Sequence, residues 1–93
     1  MISRKVTVAS QGGLHARTAA LFAQEAGRQP ARVMVRAGDG QAVQARSLLA
    51  VLSLGATHGT ELTLEADGEQ AAESLEVLAA LLATDLDAAP TDA

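Results

Sequence analysis

The spacing of apolar residues along this chain switches repeatedly between two and three-to-four, which confines it to a domain that mixes strands with helices. Ile2, Arg4, Val6 and Val8 lie in an alternating apolar–polar segment, the pattern of a half-buried strand. Ser10 to Gly13 is rich in turn formers. From Ala16 to Ala26 the period lengthens, and Ala19, Phe22, Ala23 and Ala26 fall on one helical face. Gly27 and Pro30 are expected to stop that helix. Arg32 to Ala37 and Gln41 to Ala45 read as strands joined at Gly38-Asp39-Gly40, a hairpin signal. Ser47 is placed to cap a short helix over Leu48 to Ser53, closed by Gly55. Glu61 to Ala66 alternates again, with Leu62, Leu64 and Ala66 facing one way. Asp67 is expected to cap a final helix, with Gln70 as its capping-box partner, and Ala71, Leu75, Leu78 and Leu82 form the apolar stripe. The tail from Asp87 to Ala93 is expected to be loose.

The element order is therefore β-α-β-β-α-β-α, in the α+β class. Strands with one apolar face and helices with matching stripes are satisfied by one antiparallel sheet, covered by helices on a single face and wet on the other. At 93 residues the chain is expected to be one domain, 1–93, with a folded part of about 2–86. Phe22 is its only aromatic residue, so Ala, Leu and Val must build the core.

Charge narrows the partners. The net charge is −4, and acids concentrate from Glu61 onward, against the basic face that nucleic acid or an anionic membrane would require. No Trp or Tyr is present for base stacking. No Cys is present for a disulfide, and no apolar run approaches the roughly 18 residues of a spanning helix. A soluble, cytoplasmic domain is expected, with no metal and no cofactor. His58 reads as a solvated loop residue, and Glu69, Glu73, Glu76, Asp85 and Asp87 as the wet side of the last helix.

One segment carries chemistry. Gly12-Gly13-Leu14-His15-Ala16-Arg17 stands where a loop enters the first helix. Helix N-termini leave amides unpaired and carry partial positive charge, so they attract anions. A neutral imidazole there is an accessible nucleophile, and the Arg17 guanidinium offers a donor fork suited to phosphate oxygens. Taken as isolated residues, His15 and Arg17 read more simply as a helix cap beside a solvated charge.

The surrounding strings change that balance. Gly13-Leu14-His15-Ala16-Arg17-Thr18-Ala19 resembles the active-site motif of the HPr family, the histidine-containing phosphocarriers of the bacterial sugar phosphotransferase system. Ala45-Arg46-Ser47-Leu48-Leu49-Ala50-Val51-Leu52-Ser53-Leu54-Gly55 resembles the family's regulatory-serine segment, and Ala66-Asp67-Gly68-Glu69 is similar to the entry to its last helix. The resemblance implies an open-faced β-sandwich of four antiparallel strands and three helices. It implies phosphorylation of His15 on Nδ1 by phospho-enzyme I, with phosphoenolpyruvate as the source, and donation to a histidine on sugar-specific acceptor domains. Arg17 and the amides of Ala16 and Arg17 would hold the phosphoryl oxygens. Such a chain is a carrier within a relay, not an independent catalyst.

Ser47 is the candidate for regulatory phosphorylation by a serine kinase. Leu14, Ala20, Leu48, Leu49 and Leu52, with Arg46, are candidates for partner docking; three leucines on one short helix exceed what one face buries. The expected state is a monomer. Two alternatives stay open: a regulatory paralogue in a metabolic phosphorelay, or a binding module on the same fold without phosphotransfer. One departure falls inside the motif, where Thr18 follows the arginine in place of the family's usual proline. Thr restores an amide donor and adds a hydroxyl, so altered local rigidity is expected there, with function retained.

Overall fold

A computed structural model of the protein describes residues 1–86. Its elements are β1 (Ile2–Thr7), α1 (Ala16–Arg28), β2 (Val33–Ala37), β3 (Val43–Gln44), α2 (Leu48–Ser53), β4 (Glu61–Ala66) and α3 (Ala71–Leu82). This is the expected order. The tail from Asp87 onward lies outside the described residues, as does the placement of Asp87 itself.

The sheet runs β1-β4-β2-β3, antiparallel throughout. The last strand in sequence is thus inserted between the first two, and β4 is paired on both sides. Register places Val6, Leu62 and Ala37 in one row, and Arg4, Leu64 and Val35 in the next. These rows face the helices: α3 packs across β1, β4 and β2, α1 packs on α3 and α2, and α2 packs on β3. Leu62, Leu64, Val35, Phe22, Leu78 and Val51 are fully buried between the layers. Each such side chain contributes about 1.5–3 kcal/mol by leaving water. Arg4 reaches the helix-covered face from the edge strand and pairs with Glu76 of α3. Ser3, Lys5 and Thr7 lie exposed on the open face. Thr63 shares that face yet is 7% exposed, because Lys5 and Arg36 flank it from both neighbouring strands.

The structure corrects several boundaries. Gly27 does not stop α1, which runs to Arg28 and is capped by Gln29 in an extended conformation (φ −75°, ψ 143°). Gln29 precedes Pro30, whose ring disfavours helical angles in the residue before it, so the proline ends the helix. β3 is shorter than Gln41–Ala45: its paired register with β2 covers Val43 and Gln44, and one further bond, from Ala45 N–H to the Val33 carbonyl at 3.0 Å, follows it. Asp67 does not cap α3. Gly68 takes φ +103° and turns the chain, the helix begins at Ala71 with Gln70 as N-cap, and no side chain caps it. Asp67 instead meets the Met1 amino group at 2.9 Å. Ser74, buried in α3, accepts from the Ala31 N–H at 3.4 Å and ties that helix to the segment before β2.

Candidate phosphohistidine site

The loop ahead of α1 is built to hold its backbone still while presenting one side chain. Val8, 1% exposed, exchanges backbone hydrogen bonds with the turn before β4: it donates to Thr60 and accepts from Gly59, both at 2.9 Å. Gly13 then closes a turn by donating to Ser10 at 3.0 Å. Its φ of +72° suits glycine, and a Cβ there would stand 2.5 Å from the Ala56 carbonyl oxygen and 2.7 Å from Thr57 Cα. Leu14 N–H donates to the Ala56 carbonyl at 2.9 Å, and its side chain enters the core. The next residue, His15, comes out exposed.

His15 is the N-cap of α1, with φ −89° and ψ −174°. Its Nδ1 accepts from the Arg17 N–H at 3.3 Å, so the ring satisfies an amide of the first helical turn. In a neutral imidazole an accepting Nδ1 carries the lone pair, which leaves the proton on Nε2. Arg17 is exposed, and its Nη1 donates to the Leu86 carbonyl at 3.1 Å. Thr18 is fully buried, and its hydroxyl donates to the Gly13 carbonyl at 2.7 Å, with the His15 carbonyl at 3.3 Å. An anion arriving at the ring thus meets the positive end of a helix, with a guanidinium two residues on.

The family model for the PTS HPr component phosphorylation site matches residues 2–84. The chain belongs to the HPr family. The HPr-like protein Crh of Bacillus subtilis is 48% identical over 80 residues, covering 86% of this chain and 93% of that protein. The phosphocarrier protein HPr of Streptomyces coelicolor is 43% identical over 90 residues, covering 97% of each. In structure, HPr from Bacillus anthracis superposes with a TM-score of 0.81 at 40% identity, over 87% of this chain and 95% of that one. Crh from Bacillus subtilis, described as a dimer with a swapping domain, gives 0.68 at 45% identity over 92% and 98%. The four-stranded open-faced sandwich is the fold that HPr proteins share with this chain.

In this HPr-family chain the stretch after α3 returns to the site. Gln11 N–H donates to Asp85 Oδ1 at 3.2 Å, and Leu86 N–H donates to Ser10 Oγ at 2.9 Å. Ser10 Oγ lies 3.5 Å from the Thr84 carbonyl, and Ser10 is 2% exposed. Asp85 is therefore half-buried and holds the loop before His15, not the wet side of the last helix; α3 has already ended at Leu82. Sequence reasoning missed this clasp. Its partners lie more than seventy residues apart, and no periodicity connects a lone serine to a distant backbone.

The other candidates separate by burial. Ser47 caps α2, its Oγ accepting from the Ala50 N–H at 3.3 Å. Leu48 is 40% exposed and Leu49 80%, and Ala20 and Arg46 are exposed too. Leu14 does not belong with them: at 5% exposure it sits in the core, drawn there by the backbone bond to Ala56. Leu52 is half-buried and packs on that core. His58 is exposed in the turn between α2 and β4. Among the described residues, no helix is long and apolar enough to cross a membrane.

Proposed function

We propose that the protein is a phosphocarrier: it accepts a phosphoryl group on His15 Nδ1 from phospho-enzyme I and donates it to a histidine on a sugar-specific acceptor domain. The observation that carries this reading is the exposed His15 ring whose Nδ1 faces the Arg17 amide at the start of α1. The Nδ1 lone pair forms the new N–P bond while the bond from phosphorus to the donor nitrogen breaks, its electron pair returning to that nitrogen. A donor ring protonated before transfer leaves neutral, and His15 takes over the imidazolium charge, so no net proton moves. The Arg17 N–H that capped Nδ1 then serves a phosphoryl oxygen, with the Ala16 N–H beside it. The guanidinium exchanges the Leu86 carbonyl for the more strongly attracting phosphate. Transfer of this kind is positioning plus charge stabilisation, which asks for no cofactor from the carrier.

Leu48 and Leu49, with Ala20 and Arg46, form the docking surface in this reading, supported by their exposure beside the packed α1–α2 pair. Docking is brief, and arginines speed encounter with acidic partners. The carrier works as a cytoplasmic monomer. A second reading is favoured by the 48% identity to Crh: a regulatory paralogue in which Ser47 is phosphorylated by a serine kinase. A phosphate there adds about −1.5 to −2 charge next to Leu48 and Leu49, and so repels acidic partners.

Incubation with enzyme I and phosphoenolpyruvate is expected to add one acid-labile phosphate, seen by mass spectrometry, and His15→Ala is expected to take up none. A label that persists in His15→Ala overturns the assignment. Full transfer to a sugar-specific acceptor domain separates the first reading from the second.

A further inference from the structure

We infer that Thr18 is a positioning residue for His15: its buried hydroxyl clamps the Gly13 carbonyl and so sets the backbone angles from which the imidazole caps α1. This rests on the carrier reading above. The bond to Gly13 is short, 2.7 Å, and its donor is fully buried. The same hydroxyl lies 3.3 Å from the His15 carbonyl, which is already engaged by the Ala19 N–H at 2.8 Å. The single hydroxyl proton of Thr18 therefore goes to the Gly13 carbonyl, with the His15 carbonyl as a longer second neighbour.

From the other side, Gly13 is pressed against Ala56 and Thr57, and Leu14 N–H is bonded to the Ala56 carbonyl. The peptide ahead of His15 is held between α1 and the α2–β4 turn, and Thr18 supplies the α1 side of that grip. A buried carbonyl that loses its donor must find another, and the loop has to shift toward water to do so. Such a shift turns His15 away from the conformation in which Nδ1 meets the Arg17 N–H.

The test needs no partner protein. Phosphoramidate phosphorylates exposed imidazole nitrogens, and the rate read is that at His15 Nδ1, resolved from Nε2 and from His58 by 31P NMR: the new N–P bond forms, the P–N bond of the protonated reagent breaks, and ammonia leaves with its electron pair. Thr18→Val keeps the branched shape and removes the donor. It is expected to fold, by circular dichroism, and to be phosphorylated about 3–10-fold more slowly, the size of one lost hydrogen bond. The 15N shift of His15 Nδ1 is expected to move as the Arg17 amide bond weakens. Thr18→Ser, which keeps the hydroxyl, is expected to stay within about twofold of the parent rate. Should the valine variant not fold, Thr18→Ala, which removes the donor without crowding, is compared with Thr18→Ser in its place.

A donor-less variant that reacts at the parent rate with an unmoved Nδ1 shift overturns the inference. So does a serine variant as slow as the donor-less one. If the parent chain takes up no phosphate on His15 from enzyme I and phosphoenolpyruvate, the carrier reading falls and this inference with it; equal rates with an unmoved Nδ1 shift sink the inference alone.

Discussion

At the N-terminus of α1 an exposed imidazole and a buried hydroxyl stand three residues apart, and each uses the unpaired groups of the helix end differently. His15 accepts an amide with its side chain, while Thr18 donates back to the Gly13 carbonyl of the entering loop. Arg17 lies between them, exposed and donating through Nη1 to the Leu86 carbonyl, and in the proposed carrier its loss is felt more in transfer than in folding. Arg17→Ala is expected to slow phosphoryl transfer about 10–100-fold, the range for a charged hydrogen bond, with the urea midpoint unchanged. Gly13 has the opposite profile. Gly13→Ala puts a Cβ into the Ala56 carbonyl at a positive φ and is expected to destabilise by about 2–4 kcal/mol, read as a lower urea midpoint. His15 and Arg17 were legible in the sequence because their residue types and spacing match a motif. Thr18 was legible only as a departure from it; that its hydroxyl is buried and aimed at Gly13 depends on how the loop packs.

Among the elements, α2 shows what a cap contributes to a helix too short to stand alone. Its six residues bury one side chain, Val51, fully, so the Ser47 bond to Ala50 is a large share of what defines its start. Ser47→Ala is expected to cost about 1 kcal/mol in urea titrations, whereas Ser47→Asp, which can also accept at the N-cap, stays within about 0.5 kcal/mol of the parent. Element identities were readable from periodicity, and for α2 from its Ser47 cap and closing Gly55. Their ends were not, because single backbone conformations decide them. Pro30 ended α1 through Gln29, and the Gly68 turn took Asp67 away from α3, leaving it an exposed pairing with the amino terminus. A capping-box spacing states only that the bond is available; the turn before it determines whether the geometry arises.

Across the molecule, an aliphatic core organised around one aromatic ring leaves little redundancy. Phe22 is fully buried within the core that α1, the other helices and the sheet share. Phe22→Ala is expected to cost about 3–5 kcal/mol, a large part of the 5–15 kcal/mol that holds a domain of this size together. Thermal unfolding by circular dichroism would show it as a melting point lower by well over ten degrees (about 4–8 °C per kcal/mol). By itself the sequence determined which segments are strands and helices, which faces are apolar, and that a histidine with an arginine two residues later opens the first helix. Repeats of two and three-to-four are local, so any reader of the chain can detect them. Only the tertiary structure decided that β4 enters between β1 and β2, that Gly13 abuts Ala56, and that Ser10, Gln11 and Arg17 are tied to residues 84–86. Those contacts join ordinary backbone and polar groups far apart along the chain. They leave no pattern in sequence, and become specific only when burial of the apolar faces brings the two ends together.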